Sequence, residues 1–238
     1  MRYAIKITLT ALILIAAVDS LRCAGIEIKT WETFEISLKS SVKFHNPYAD
    51  CLKKDEQPYL TAIFTGTEGS CKGKTIMVPG FWDGGDIWMI RFAPSAVGLW
   101  KYETFSADRK MKGKKGELKV LDWSEEEKSD NPVRRGFMTV NKSDFRNGRY
   151  FTYSDGTPVL WIADTWWDWT NSRIKFESFK KLADTRAEQG YNIGQLFFAG
   201  NGWGRESSLL DPSFTNPKLE QIRKVEEMIR YANSKGIT

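Results

Sequence analysis

Polar and apolar residues alternate along most of residues 30–122. The segments TFEISLK, YLTAIF, KTIMVPGFW, IWMIRFAP, LWKYETFSA and GELKVLD each predict a strand, and turn signals such as NPY, TGTEG and DGGD separate them. One face of these strands carries large apolar side chains, namely Phe34, Ile36, Leu38, Trp88, Ile90, Phe92, Trp100 and Tyr102. Short strands at this spacing predict an antiparallel β-sandwich of about a hundred residues, which we place at 26–122.

The periodicity changes after residues 123–136, WSEEEKSDNPVRRG, which we interpret as a polar linker. The segment after it predicts short strands with turns at Asn147–Gly148 and Asp155–Gly156. PVLWIAD and YNIGQLFFAG are continuous apolar runs, typical of strands buried on both faces. KFESFKKLADTRAEQG and NPKLEQIRKVEEMIRYANSKG have helical periodicity. The order strand–helix–strand–helix predicts parallel strands joined by crossovers.

Residues 137–238 have room for only the first units of a large α/β fold. A (β/α)₈ barrel takes about 250 residues. The sequence stops at GIT, where a third parallel strand is expected to start. We therefore expect the chain to be a fragment, and the alternative is a very small α/β unit.

The first 25 residues have the layout of a secretory signal peptide. Arg2 and Lys6 precede the apolar run LTALILIAAV, and small residues follow it. Cleavage after Ser20 or after Gly25 fits this layout. The run is too short for an ordinary membrane span, and we predict none. We expect a secreted or periplasmic protein, with attachment to the cell surface as a variant; Arg22 before Cys23 disfavours a lipid anchor.

Export changes the expected state of the cysteines. Cleavage after Gly25 leaves Cys51 and Cys71. In an oxidising compartment this pair favours a disulfide over two unpaired thiols, and the bridge contributes roughly 3 kcal/mol on the loop-entropy model.

The composition excludes several kinds of chemistry. His45 is the only histidine, so a multi-histidine zinc site is excluded and acid–base chemistry is expected to use carboxylates. The net charge is +5, and the basic run at 109–116 contains no aromatic residue, which favours a solvated hairpin tip over a nucleic-acid surface. We predict no nucleic-acid partner and no cofactor. A calcium site at GFWDGGD is an alternative that we do not favour, and no metal is predicted.

The segment WIADTWWDWT, residues 161–170, concentrates four of the ten tryptophans next to acidic side chains. Asp164 stands at the end of the first predicted parallel strand, and the loop after the second strand carries Asn201 and Trp203. The carboxyl ends of parallel strands meet at one edge, where functional groups collect. Trp161 lies inside the strand and is predicted to be a core residue. Capping of the following turn is the alternative role for Asp164.

Indole rings beside carboxylates and amides suit a sugar. A sugar ring has an apolar C–H face on which indole stacks, and a polar rim that carboxylates and amides bind. The alternative is that some of these tryptophans only pack in the core. The predicted substrate-binding residues are Asp164, Trp166, Trp167, Asn201 and Trp203.

Both parts of the chain resemble known domains. DGTPVLWIADTWWDW, followed by a helix and GYNIGQLFF, resembles the start of the apiosidase-like glycoside hydrolase catalytic domain, a (β/α)₈ TIM barrel. NPYAD together with GFWDGGDIWMIRFAPSAVGLWKYET resembles the immunoglobulin-like β-sandwich that precedes such barrels. The implied organisation is multidomain: signal peptide 1–25, sandwich 26–122, linker 123–136 and incomplete barrel 137–238.

The resemblance implies a secreted glycosidase that acts on a polysaccharide or oligosaccharide. Such enzymes hydrolyse the glycosidic bond with one acid/base carboxylate and one nucleophilic carboxylate, which follow later strands of the barrel. The catalytic pair is therefore expected beyond Thr238, and the fragment alone is expected to be inactive. Asp164 matches the family motif only as a residue of the pocket.

Two other functions remain open at this point. A non-catalytic carbohydrate-binding or cell-surface β-sandwich protein would use Trp82, Trp88 and Trp100, for which core packing is the competing role. A nucleic-acid-binding protein would show steeply salt-dependent binding, and the export signal argues against it.

Overall fold

The computed structural model of the chain describes residues 16–17, 25–50, 59–140, 150–197, 209 and 216–238. Some sequence predictions lie outside these ranges: most of the signal peptide, Cys51, the turn at Asn147–Gly148, and Asn201 and Trp203. Within the ranges, no helix has the length and apolar content needed to cross a membrane.

The N-terminal part is built mainly from short strands. They are β1 (Ala16–Ala17), β2 (Ile26–Lys29), β3 (Phe34–Lys39), β4 (Leu60–Gly66), β5 (Thr75–Pro79), β6 (Phe81–Trp82), β7 (Ile87–Phe92), β8 (Gly98–Ser106) and β9 (Lys115–Leu121). A short helix, α1 (Pro47–Asp50), lies between β3 and β4. One sheet has the order β1-β3-β7-β6 and the other has the order β2-β9-β8-β4-β5. The pairs β1–β3 and β2–β9 are parallel, and the other pairs are antiparallel.

The two sheets share one apolar core. The alternating faces predicted from the sequence are confirmed, because the apolar side chains named for β3, β7 and β8 are all buried. Phe64 of one sheet stacks on Phe92 of the other, with ring centroids 3.9 Å apart. Burial of these side chains is the main stabilising contribution to this β domain.

The segment KTIMVPGFW is two strands, so its prediction as one strand was wrong. β5 belongs to one sheet and β6 to the other, and Gly80 lies between them. A Cβ atom at Gly80 would lie 2.7 Å from Leu60 Cδ2. Glycine is therefore the residue that fits at the point where the chain passes from one sheet to the other.

Residues 109–114 of the basic run lie in the turn between β8 and β9, as predicted, and its last two residues begin β9, but part of this turn is buried. Met111 has no exposed surface, and Asp108 is almost fully buried beside it. Asp108 accepts hydrogen bonds from the Ser40 hydroxyl at 2.6 Å and from the backbone N–H groups of Ser41 and Lys110 at 2.6 and 2.8 Å. Burial raises the pKa of Asp108, but these hydrogen bonds outweigh it and hold the pKa at about 2.

Replacing Asp108 with asparagine is expected to destabilise the β domain by about 2 kcal/mol at pH 7, from the pKa shift at about 1.4 kcal/mol per unit. Because the folded-state pKa is lowered, this stabilisation is fully present above the unfolded-state value near pH 4. It is lost as the pH falls toward the folded-state value of about 2. Chemical denaturation between pH 7 and pH 2 measures the difference. Asp130→Asn, at an exposed position, is the control, and an Asp108→Asn loss that stays constant to pH 2 would contradict the account.

Residues 123–136, interpreted as a linker, contain a helix that the sequence analysis missed. Helix α2 (Glu125–Asp130) begins with a capping box between Ser124 and Glu127, and a 3₁₀ turn (Pro132–Arg135) follows it. The S-x-x-E pattern at 124–127 was the available signal. Trp123 Nε1 donates to the Thr30 carbonyl at 2.7 Å, and Asn131 Nδ2 donates to the Asn233 carbonyl at 2.9 Å. The segment therefore contacts the β domain through Trp123 and the C-terminal part of the chain through Asn131.

Short antiparallel strands follow: β10 (Thr139–Val140), β11 (Phe151–Thr152) and β12 (Pro158–Val159). The predicted turn at Asp155–Gly156 is confirmed, because Gly156 has a φ of +91° and its N–H donates to the Tyr153 carbonyl.

The C-terminal part has the predicted order, with β13 (Ala163–Trp166), α3 (Phe176–Glu188), β14 (Ile193–Leu196) and α4 (Leu219–Ser234). β13 and β14 pair in parallel. The helices cover one face of this pair and form a second core, whose buried members are Trp166, Phe179, Ala183, Met228, Ala232 and Ile237.

PVLWIAD does not form one buried strand, so that prediction was wrong. β12 ends at Val159 and β13 starts at Ala163, and the residues between them are exposed. The Asn192 side chain accepts from Ile162 N at 3.0 Å and donates to the Leu160 carbonyl at 2.7 Å. This side chain takes the backbone hydrogen bonds that a neighbouring strand would otherwise supply.

Candidate functional site

An aromatic stack stands at the carboxyl ends of β13 and β14. The register pairs Trp166 with Leu196, so Trp167 and Phe197 follow the two strands side by side. Their rings are parallel within 3°, with centroids 4.6 Å apart. Trp167 is 51% exposed and Phe197 is 38% exposed. We call this pair the Trp167–Phe197 stack, and it presents apolar ring surface to solvent.

Helix α4 fixes the loop that follows Trp167. Thr170 Oγ1 donates to the Phe197 carbonyl at 2.8 Å, which ties this loop to the end of β14. Gln221 of α4 donates to the Thr170 carbonyl, and Lys224 of α4 donates to the Ile174 carbonyl. These hydrogen bonds hold residues 170–174, which follow Trp167, against α4.

The same helix contacts the β domain through Arg91. The guanidinium donates to both carboxylate oxygens of Glu226 on α4, at 2.6 and 2.8 Å, and to Glu35 Oε1 at 2.5 Å. Burial lowers the pKa of Arg91, but the hydrogen bonds to Glu226 and Glu35 outweigh it, so the pKa lies above its ordinary value. Bidentate pairing of this kind fixes geometry as well as charge. The β domain and the loop carrying Trp167 are thus linked through one helix.

Trp166 and Asp164, two of the predicted substrate-binding residues, lie on the face of β13 that the helices cover. Trp166 is 2% exposed and packs edge-on against Phe179, with centroids 5.4 Å apart. Its ring has no open face on which a sugar could stack, so in this structure it is a core residue. Asp164 Oδ2 accepts from Arg186 Nε of α3 at 2.5 Å. Its carboxylate is engaged in an ion pair on the helix side of the sheet.

Trp161 was predicted to lie in the core, and that prediction was wrong. It is 49% exposed and packs against Phe151, with ring centroids 5.1 Å apart. The cause is the break in the strand at residues 160–162, which turns the side chain outward.

Of the five predicted substrate-binding residues, Trp167 alone lies at the exposed edge within the described ranges, since Asn201 and Trp203 fall outside them. The sequence analysis missed Phe197. The signal for it was present, because Phe197 ends an apolar run at the same point of its strand as Trp167.

The proposed disulfide remains a prediction. Cys71 is buried and forms no disulfide within the described residues, and its Sγ donates a hydrogen bond to the Glu68 carbonyl at 2.9 Å. Cys51 lies outside the described residues.

Three of the four tryptophans of the β domain do not form a binding surface. Trp82, Trp88 and Trp100 are all buried in the core between the two sheets. Core packing, the competing role, is confirmed for these three tryptophans. A carbohydrate-binding β-sandwich that uses these rings is therefore not supported. Within the described part of the chain, no three His, Cys, Asp or Glu side chains lie close enough together to hold a metal ion.

A β domain, followed by parallel strand–helix units with aromatic rings at the carboxyl edge, fits the layout of a glycoside hydrolase with an N-terminal β domain. The family comparisons agree with this class. Residues 145–238 match the apiosidase-like catalytic domain, and residues 27–107 match DUF5060, a domain of unknown function. The resemblance inferred from the sequence is confirmed for both parts of the chain.

The fold is similar to that of a solved structure from Bacteroides vulgatus ATCC 8482, provisionally described as a glycoside hydrolase. The TM-score is 0.64 with 23% sequence identity, over 89% of this chain. This chain spans 40% of the length of that protein. A glycoside hydrolase family 5 structure from the same organism matches with a TM-score of 0.34 and 21% identity, over 45% of this chain and 24% of that one. No curated protein matches the chain.

Proposed function

We propose that the protein is a secreted glycoside hydrolase of the apiosidase-like type that hydrolyses O-glycosidic bonds of complex polysaccharide. The match of residues 145–238 to the apiosidase-like catalytic domain supports the reaction class. The observation in the structure that carries the proposal is the exposed Trp167–Phe197 stack at the carboxyl edge of two parallel strands. The proposed partner is a polysaccharide or oligosaccharide substrate.

The Trp167–Phe197 stack suits the apolar face of a sugar ring. Each ring supports the other, and the Thr170 hydroxyl ties the backbone of Phe197 to the neighbouring loop. Because both side chains are already ordered, little conformational entropy is lost when a ligand binds. The stack is therefore a binding subsite that orients the glycan, while the chemistry is performed by other groups.

We assign no catalytic residue to this chain and place the catalytic carboxylates in residues that follow Thr238. The proposed mechanism uses one carboxyl group as acid/base and one carboxylate as nucleophile. Asp164 is already paired with Arg186 on the far face of the strand, which disfavours it for either role. The 238-residue chain alone is expected to bind glycan without hydrolysing it.

We further propose that the β domain is an immunoglobulin-like sandwich and that β13 to α4 begin a (β/α)₈ barrel. The shared core of the two sheets supports the first proposal. For the second, the N–H of Thr238 donates to the Asn192 carbonyl at 2.9 Å, and its carbonyl accepts from Gly194 N at 3.0 Å. This is the hydrogen-bond pattern of a third parallel strand beside β14.

The proposed route to the substrate is export. The charged start and short apolar run of residues 1–25 support a cleavable signal peptide, and the substrate class fits a protein that acts outside the cytoplasm. Mass spectrometry of the protein from the periplasm or medium of an expression host tests this. A mature N-terminus after Ser20 or Gly25 is expected, and an uncleaved cytoplasmic protein would contradict it.

Trp167→Ala is expected to weaken oligosaccharide binding about tenfold, which corresponds to the loss of about 1.4 kcal/mol from one aromatic contact. Isothermal titration with a panel of plant-type oligosaccharides measures the effect. Trp161→Ala is the matched control, because Trp161 is equally exposed but lies before the start of β13. Equal affinity of the wild type and the Trp167 variant would remove the stack from the site.

A further inference from the structure

A cavity of about 220 Å³ lies where three parts of the chain meet. The β domain contributes Trp31 and the loop at residues 95–97, the connecting segment contributes Arg134 and Arg135, and the β11–β12 turn contributes Ser154. At roughly 30 Å³ per water molecule, this volume corresponds to about seven waters, which suits one sugar ring or a small anion. It shares no residue with the Trp167–Phe197 stack. Junctions between domains are preferred places for ligand sites.

Positive charge predominates in this cavity. Its lining holds four cationic side chains and two carboxylates, the cations being Lys74, Lys128, Arg134 and Arg135 and the carboxylates Asp122 and Asp155. Lys128 pairs with Asp122 at 3.1 Å, and Arg135 pairs with Asp155 at 2.8 Å. Glu125 reaches Lys128 and Arg135 at 3.2 and 3.3 Å, but it is exposed and does not line the cavity.

The remaining two cations have no carboxylate partner among the described residues. The Arg134 guanidinium donates through Nη1 to the Glu127 carbonyl at 2.8 Å and lies over the Trp123 ring. Lys74 lines the cavity and is exposed. Burial raises the pKa of Asp155, but hydrogen bonds from Thr157 and Arg135 outweigh it and lower the pKa. Both existing pairs are thus charged at neutral pH. With Glu125 counted as well, four cations face three carboxylates, so the group that includes Lys74 and Arg134 has a net charge of +1.

The cavity also has one aromatic wall that is held in a strained backbone conformation. Trp31 has a φ of +67°, and it is the one residue other than glycine with positive φ in the described ranges. Such a conformation costs a bulky residue roughly 1–3 kcal/mol and is often found at ligand clamps. Its N–H donates to the Pro94 carbonyl at 2.9 Å. A Cβ atom at Gly136 would lie 2.5 Å from Trp31 Cε2, so the glycine backbone fixes the ring from one side.

Hydroxyl groups complete the lining. Ser70 donates to the Val97 carbonyl at 3.1 Å, and Ser154 donates to the Phe137 carbonyl at 3.1 Å. Because their protons are committed, these oxygens remain as acceptors for hydroxyl groups of a ligand. Cations, an indole wall and hydroxyl acceptors together match a sugar that carries a negative charge.

We infer that this cavity binds the carboxylate of a uronic acid residue, as found in acidic polysaccharides. Lys74 and Arg134 neutralise the carboxylate, and Trp31 contacts the apolar face of the ring. The choice of a sugar as the carrier rests on the proposed glycosidase function, whereas the choice of an oxyanion rests on the charges of the cavity.

The test measures binding of D-galacturonate, D-galactose and inorganic phosphate to the whole chain by isothermal titration. We expect galacturonate to bind, galactose not to bind at the same concentrations, and added salt to weaken the binding. Lys74→Gln is expected to lower the affinity for galacturonate about five- to tenfold, as loss of a charge-assisted contact does. Lys74 is exposed, so this variant keeps the fold. Lys112→Gln, with the same charge change in the β8–β9 turn, is the control and is expected to have no effect.

Three results would overturn the inference. Absence of galacturonate binding by the folded protein, or equal affinity in Lys74→Gln, would remove the site. Phosphate binding as tight as galacturonate binding would identify a site for small anions and reject the acidic sugar. Because this experiment does not measure hydrolysis, none of these results decides the proposed glycosidase function, which the Trp167→Ala variant tests separately.

Discussion

Trp166→Ala is expected to lower the free energy of unfolding of the C-terminal part by about 3–5 kcal/mol, the usual cost of removing a buried aromatic ring. The ring fills the space between β13 and α3, where it contacts Phe179. It also lies so close to Gly194 that a Cβ atom there would be 2.7 Å from its carbons. These neighbours belong to packed elements that cannot collapse into the space left by the ring. Chemical denaturation followed by circular dichroism measures the loss.

Two further variants test whether the loss of stability comes from the packing of the buried ring. Trp167→Ala removes an equally large ring from the exposed side and is expected to cost about 1 kcal/mol or less, the value of one aromatic contact. Trp166→Phe keeps most of the packing and removes the indole N–H, which has no hydrogen-bond partner among the described atoms. It is expected to cost much less than alanine. Similar losses for Trp166→Ala and Trp167→Ala would contradict the assignment of the two faces.

Gly98→Ala is expected to destabilise the β domain by at least about 3 kcal/mol, because it combines a strained backbone with a direct clash. Gly98 starts β8 with a φ of +133°. A Cβ atom there would lie 1.9 Å from the Glu68 carbonyl oxygen and 2.9 Å from Cys71 Sγ. The clash involves backbone that is fixed by hydrogen bonds, among them Cys71 N to the Val97 carbonyl at 3.0 Å. Thermal and chemical denaturation both measure this effect.

Gly113→Ala is the matched control for Gly98→Ala. Gly113 also has positive φ, at +70°, but no atom lies within 4 Å of a Cβ placed there. Its substitution carries the backbone penalty alone, about 1–2 kcal/mol. A loss at Gly98 no larger than the loss at Gly113 would show that the close approach to Glu68 does not limit the fold.

The faces of the β domain could be predicted because they depend on local alternation. Every apolar residue assigned inward along β3, β7 and β8 is buried. The errors arose where the chain leaves one sheet for another. Gly80 divides an apolar run between two sheets, and the Asn192 side chain interrupts another before Ala163. Both depend on contacts with residues distant in sequence, which a local pattern does not contain.

The candidate site was predicted in part for a related reason. The predicted strand PVLWIAD ended at Asp164, so Trp166 and Trp167 were both placed after the strand and alternation was not used to separate them, whereas β13 continues to Trp166. In the structure the helices cover one face of β13 and leave the other open, which places the two rings on opposite sides. Applied to β14, the same alternation would have identified Phe197. The ion pair of Asp164 with Arg186 depends on the docking of α3, which the sequence did not predict.

The most direct test of the proposed glycosidase is to read the coding sequence beyond Thr238 and to assay the encoded protein for release of reducing sugar from plant polysaccharides. We expect further strand–helix units with Asp or Glu at strand ends, hydrolysis by the longer protein, and none by the 238-residue chain. Trp167→Ala in the longer protein is expected to lower kcat/KM about tenfold, the equivalent of about 1.4 kcal/mol. A longer protein that folds and binds glycan but hydrolyses no polysaccharide would contradict the proposal and favour a carbohydrate-binding protein.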